Sequence, residues 1–240
     1  MSQVTTNASA AANQPQEFLR FTLNQRAQHW LLILSFVMLV VTGMPLRYPG
    51  NPVAAKAVML MGGIGARSII HRCGALLLIG LCIYHVAYIL FSEKGSRDFR
   101  AMFFQWRDLT DMIAMMKFYF GLGKSKPRFG RFSYQEKFEY YAVGWGSVVM
   151  IGTGLLLWFP EAASGFFPKW ALDVARIVHS WEGLLAILAI IISHMYTVHL
   201  NPDIFPMSSI WLTGRIREEE LQRHHPLEYE EIMLHSKDNA

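Results

Sequence analysis

The sequence predicts an all-α membrane protein, a bundle of four transmembrane helices with a cytoplasmic interfacial helix and a C-terminal tail. Three observations carry this. Four apolar runs have bilayer length, the basic residues crowd into one connection between them, and histidines recur at fixed depths inside the runs. Hydrophobic residues make up 52 % of the 240-residue chain and charged residues 17 %, against roughly 25 % charged in a soluble domain. The apolar residues are clustered, which argues against one large soluble core.

Residues 1–18 are polar and rich in Ala, Gln and Asn, with no basic stretch leading into an apolar core. They read as a disordered tail, not a secretory signal, so the first apolar run is expected to stay as an anchor. Residues 19–200 form the transmembrane domain. Its spans are residues 29–46, 68–91, 138–159 and about 175–199, each near the roughly 20 residues that cross a bilayer as a helix. None alternates as a barrel strand does, and hydrocarbon forces a backbone to satisfy its own polar groups, so all four are helices.

The connection between spans 2 and 3, residues 92–137, holds ten of the 22 Lys and Arg. Cytoplasmic loops carry the basic excess. That connection and both termini are therefore expected in the cytoplasm of a bacterium, with the chain in its inner membrane. The net charge of +4 reflects the same bias, and no basic motif supports nucleic-acid binding. Within the connection, residues 99–120 mix aromatics and Met with charges at helical spacing, which predicts an amphipathic helix on the membrane surface. Residues 201–240 turn polar and read as a soluble helical tail. Cys73 and Cys82 would lie on opposite sides of one helix, too far apart for a disulfide. No CxxCH occurs, so no haem is attached through thioethers.

Six of the nine histidines lie in or at the edge of spans: His29, His71, His85, His179, His194 and His199. Ionisable residues inside a membrane are costly and point to function. His71 and His85 are 14 residues apart and His179 and His194 are 15 apart. That is about 21–22 Å of rise, with a return to within about 40° and 60° of the same face. Spans 2 and 4 run the same way, so His71 and His179 share the periplasmic level. His85, His194 and His29 share the cytoplasmic one. Two haems, each held by two histidines from different helices, explain the two layers.

Rival readings remain. Zinc usually needs four ligands, and each layer offers two or three histidines with no close carboxylate. A transporter would need acidic residues at mid-membrane, where none is found; Glu182 lies only a turn inside span 4. The histidines of a non-redox membrane anchor or assembly subunit would simply bond between helices. No flavin or nicotinamide domain follows the spans, which argues against a ferric-reductase type.

Read together, HW at His29–Trp30, IIHRCG around His71, IVHSWEG around His179, ISHMY around His194 and HHPLEY at His224–Tyr229 resemble the di-haem cytochrome b subunits of respiratory formate dehydrogenases. More broadly they resemble the related subunits of nickel–iron hydrogenases. The resemblance runs from residue 18 to about 233. It implies that His71 and His179 hold the iron of a periplasmic haem b and His29 and His194 that of a cytoplasmic one. By depth alone His85 competes with His29. The resemblance also implies a quinone site near the cytoplasmic haem, for menaquinone or ubiquinone, with Gln135 as a contact; Phe132, Ser133 and Tyr134 depart from the family pattern just before it. The partners it implies are a periplasmic iron–sulfur or multihaem electron-transfer subunit and its catalytic subunit. The chain itself would be an electron-transfer subunit of a quinone-linked complex, not catalytic for the primary substrate. At helical rotation His199 points about 140° from His194 and is not expected to bind a metal.

Overall fold

The computed structural model describes residues 16–238. Four of its helices are long and apolar enough to cross a membrane. They are α1 (Leu23–Arg47), α3 (Gly63–Phe91), α6 (Tyr134–Trp158) and α8, whose α-helical part Lys169–Leu188 continues through two π-helical segments, Ala189–His194 and Tyr196–Leu200. Each outruns the apolar segment read from the sequence by some residues at one or both ends, because polar residues cap it. Thr22 and Gln25 form a reciprocal cap that starts α1: Thr22 N–H donates to Gln25 Oε1 at 2.9 Å, and Gln25 N–H to Thr22 Oγ1 at 3.3 Å. Ser133 and Glu136 start α6 in the same way, with bonds of 2.7 and 3.3 Å. Such caps satisfy amide groups that the first helical turn leaves open.

The shorter elements are β1 (Glu17–Leu19), α2 (Pro52–Leu60), α4 (Glu93–Ala101), α5 (Trp106–Tyr119), α7 (Pro160–Phe166), α9 (Ile210–Thr213), β2 (Arg215–Arg217), α10 (Glu218–His224) and α11 (Pro226–Asp238). The chain divides into two units.

The first unit comprises residues 27–100 and 138–208 and carries most of each long helix. Its helices bury polar residues among a few apolar ones and turn large apolar side chains outward. The buried residues of α1 are Gln28, Ser35 and Thr42, seven apart. Those of α3 are Arg67, Gly74, Leu78 and Leu81. Outward-facing Ile83, Val148 and Ile192 remain 67 %, 65 % and 66 % exposed, an apolar surface that water would penalise and hydrocarbon would not. Gly74 lets α3 approach α1: a Cβ there would stand 3.1 Å from the Met38 Cβ. This chain is a multi-pass membrane protein.

The second unit collects residues 16–26, 101–137 and 209–238. Strands β1 and β2 pair antiparallel, with Phe18 opposite Ile216. The tail assignment for residues 1–18 lies mostly outside the described residues, but Glu17 and Phe18 belong to this sheet. Gly214 turns the chain into β2 at φ +75°, where a Cβ would come within 2.4 Å of the Phe21 carbonyl. Glycine avoids both the strain and the clash.

A buried charge organises this unit. Arg20 pairs with Glu228, donates to the Arg131 carbonyl at 2.7 Å and to His225 Nε2 at 2.9 Å, and lies 3.3 Å from Glu136. The His225 Nδ1–H then donates to the Gly130 carbonyl at 2.7 Å. Lys137 inserts its ammonium between the Asp108 oxygens, at 2.9 and 2.8 Å. Of the polar tail, residues 209–238 are built into this unit through β2, α10 and α11, together with two distant segments.

Candidate functional site

The histidines of the first unit meet in facing pairs. The ring centres of His71 on α3 and His179 on α8 lie 6.4 Å apart. Those of His29 on α1 and His194 on α8 lie 6.3 Å apart. His85 instead faces Tyr140 of α6, at 5.8 Å.

What stands behind each ring fixes its tautomer. The Thr42 hydroxyl donates to the Met38 carbonyl, so its oxygen accepts from His71 Nδ1–H at 2.8 Å. The Thr153 hydroxyl donates to the Val149 carbonyl, so its oxygen accepts from His179 Nδ1–H at 2.9 Å. His194 has a different support. Its Nδ1–H donates at 2.9 Å to Oε2 of Glu139, whose Oε1 accepts from Ser193 at 2.9 Å; the Thr197 hydroxyl, 3.4 Å away, donates to the Ser193 carbonyl at 3.0 Å. In all three the hydrogen sits on Nδ1, leaving the Nε2 lone pair for a metal, an arrangement common to metal-binding histidines.

His85 is engaged at both nitrogens, by Gln28 Oε1 at 2.7 Å and by the Tyr140 hydroxyl at 2.9 Å. Glycines open space beside the first pair. A Cβ at Gly43 would lie 3.4 Å from His71 Cε1, and one at Gly154 would lie 3.2 Å from His179 Cε1.

These contacts repeat. Thr42–Gly43 and Thr153–Gly154 are one pattern on α1 and α6, facing His71 and His179, 29 and 26 residues later. Fourteen residues before Thr42 stands Gln28, and fourteen before Thr153 stands Glu139. Each binds the Nδ1 of the deeper histidine of its own hairpin, His85 or His194. Within the second helix of each hairpin the irregularity is that His194 follows His179 by 15 residues, whereas His85 follows His71 by 14. The π-helical segment Ala189–His194 absorbs the extra residue, since a π turn closes over one residue more than an α turn. The rotation from His179 to His194 then matches that from His71 to His85, about 40° short of full turns.

His199 stands in the second π segment, within electrostatic range of His29 and His194.

The sequence reading saw no carboxylate close to either layer. Glu139 corrects that. It sits at the edge of the third apolar run. The equal offsets from the two Thr-Gly pairs are the signal that could have found it. The supporting Thr42 and Thr153 were likewise missed, because threonine in an apolar helix normally reads as packing. Gln135 lies half-buried in the first turn of α6.

A model of the family described as prokaryotic cytochrome b561 matches residues 20–209. The chain belongs to this family. The cytochrome is also similar to curated relatives along nearly its whole length. The nitrate-inducible formate dehydrogenase cytochrome b556(Fdn) subunit of Escherichia coli K12 is 22 % identical over 209 residues, covering 86 % of this chain and 88 % of the relative. The cytochrome b556(fdo) subunit of formate dehydrogenase from the same strain is 21 % identical over 220 residues, covering 89 % and 92 %. The formate dehydrogenase cytochrome b556 subunit of Haemophilus influenzae is 22 % identical over 225 residues, covering 90 % and 84 %.

The family implies b-type haem, and the cytochrome's residues fit it. With metal–nitrogen bonds of about 2 Å, two Nε2 atoms sharing one ion lie about 4 Å apart, with each ring centre further out by the depth of its ring. Spacings of 6.4 and 6.3 Å suit one iron between each pair. Among the described residues no cluster of three or more His, Cys, Asp or Glu could hold a metal. A two-nitrogen set is insufficient for structural zinc but is what a macrocycle with its own four nitrogens requires.

Proposed function

We propose that the chain is a membrane-bound di-haem cytochrome b subunit that carries electrons between a periplasmic redox partner and the quinone pool, drawn on at a cytoplasmic-side site. The observation that carries this is the pair of facing imidazole couples, His71–His179 and His29–His194, one toward each end of the long helices. These four residues would hold the irons axially. Bound there, the haems would supply one-electron transfer across the low-dielectric layer.

The chain's own residues orient and exclude. Thr42, Thr153 and Glu139 hold three of the ligands in one tautomer, and the apolar outer faces keep the couples in lipid. The ten basic residues of the connection between α3 and α6 favour the cytoplasm for that segment and for both termini, in a bacterial inner membrane. Helix α5 leaves Trp106 86 % exposed, with Ile113 and Met116, and Phe120 just after its last turn, also outward. Such a stripe suits a helix lying in the lipid headgroups.

The relatives named above bear formate dehydrogenase names. The reading therefore includes a partnership with an iron–sulfur electron-transfer subunit and a catalytic subunit of that kind. Gln135 is proposed as a contact for menaquinone or ubiquinone.

Pyridine haemochrome analysis of the purified chain should give two non-covalent haems b per polypeptide, with a b-type α band in the reduced-minus-oxidised spectrum. One haem, a covalent haem, or no α band would overturn the reading, the last in favour of a non-redox anchor. A C-terminal reporter active only in the periplasm would reverse the orientation.

A further inference from the structure

The two proposed iron sites differ in what stands behind their histidines. His71 and His179 donate to threonine hydroxyls, which are neutral and already committed to backbone carbonyls. His194 donates to a carboxylate. Glu139 receives one donor on each oxygen, from His194 and Ser193. With donors on both oxygens it has no use for a proton of its own, so the group is held as an anion. At the equivalent place in the other hairpin stands neutral Gln28, behind His85.

We infer that Glu139 is a positioning residue that makes the His29–His194 haem the lower-potential centre of the two. This rests on the di-haem reading above. Hydrogen bonds to an ionised acceptor are shorter and stronger than neutral ones. A carboxylate on Nδ1–H draws the proton toward itself and leaves Nε2 more basic. A more electron-rich ligand favours ferric over ferrous iron. The nearby negative charge acts in the same direction, since the ferric site carries one more positive charge. Both effects lower the reduction potential, and neither operates at the threonine-backed pair. The carboxylate thus sets apart two sites that ring spacing alone would make alike.

The test is a redox titration of the full-length, haem-loaded protein, read optically and by low-spin EPR. The haem that His29→Ala removes identifies the centre concerned. Glu139→Gln keeps size and one acceptor but loses the charge. The ferric/ferrous equilibrium of that haem should shift at least tenfold toward ferrous, about 59 mV upward per factor of ten, with a changed EPR g-value. The other haem should stay where it was. Glu139→Asp should restore most of the difference.

Two bound haems with unmoved potentials in Glu139→Gln would overturn the inference while leaving the di-haem reading intact. A wild-type chain with no haem at His29–His194 would overturn the reading itself, and the inference with it. Should Glu139→Gln lose the haem, Ser193→Ala decides. That change removes a donor from the carboxylate and leaves more charge on His194. A downward shift at that haem supports the inference, and no shift or an upward one overturns it.

Discussion

The Tyr140 hydroxyl lies 2.9 Å from Nε2 of His85, on the nitrogen an axial ligand would offer to iron. Gln28 occupies the other ring nitrogen at 2.7 Å. His29 meanwhile turns its ring to His194. His29→Ala is therefore expected to abolish one low-spin haem signal. His85→Ala should keep both and at most shift a potential. EPR of the two purified variants checks this, and loss of a haem in His85→Ala alone would exchange their roles.

Thr42 and Thr153 are expected to matter through the tautomer they impose. Thr153→Val keeps the shape and removes the acceptor from His179. Supports of this kind are worth about 10–100-fold in metal affinity. Haem retention during detergent purification should fall accordingly for the His71–His179 site, and Thr42→Val should do the same through His71. Thr153→Ser, which restores the hydroxyl, should recover it.

His225 gives the second unit a pH dependence. Burial first, then the Arg20 guanidinium beside it, hold its pKa below the ordinary 6.5. The folded state therefore keeps the ring neutral, and the unfolded chain takes up the proton first as pH falls. This contribution to stability is complete above about 6.5 and is lost progressively as pH drops toward the folded-state value. Thermal melts should show that loss in the wild type and a flatter profile in His225→Gln.

The Lys137–Asp108 pair is buried on both sides, with 6 % and 10 % of the side chains exposed. Removing one partner of such a pair costs about 3–5 kcal/mol, because the other charge is left without compensation. Lys137→Met should therefore lower the melting temperature more than the double variant with Asp108→Leu, which removes both charges.

Much of the spanning unit is legible in the sequence because hydrocarbon imposes simple rules. Length and apolarity mark α1, α3, α6 and α8, and helical period places His71 above His85. Period fails where the helix changes type. Beyond Leu188 the chain runs through two π-helical segments, where a rotation counted at α-helical period does not apply to His199. Glu139 escaped notice because an acid near the end of an apolar run resembles an interfacial residue, and only the comparison of two hairpins reveals its place. The second unit was illegible for another reason. Arg20, Glu228 and Gly130 carry no period, and a buried guanidinium that gathers three remote segments leaves no local trace.

The repeated hairpins have a consequence for biogenesis. In both facing couples one imidazole comes from α1 or α3 and the other from α8. Neither half of the chain owns a complete site. In lipid the two hairpins gain nothing from hydrophobic association, since their outer faces are as content with acyl chains as with each other. Newly inserted halves would have little but a few polar contacts, such as Arg47 with Ser180, to draw them together. On the di-haem reading, a group gripped across the couples would act as the rivet between the halves, so cofactor supply would gate maturation of the subunit, and a cell starved of it would be left with loosely joined hairpins exposed to membrane proteases.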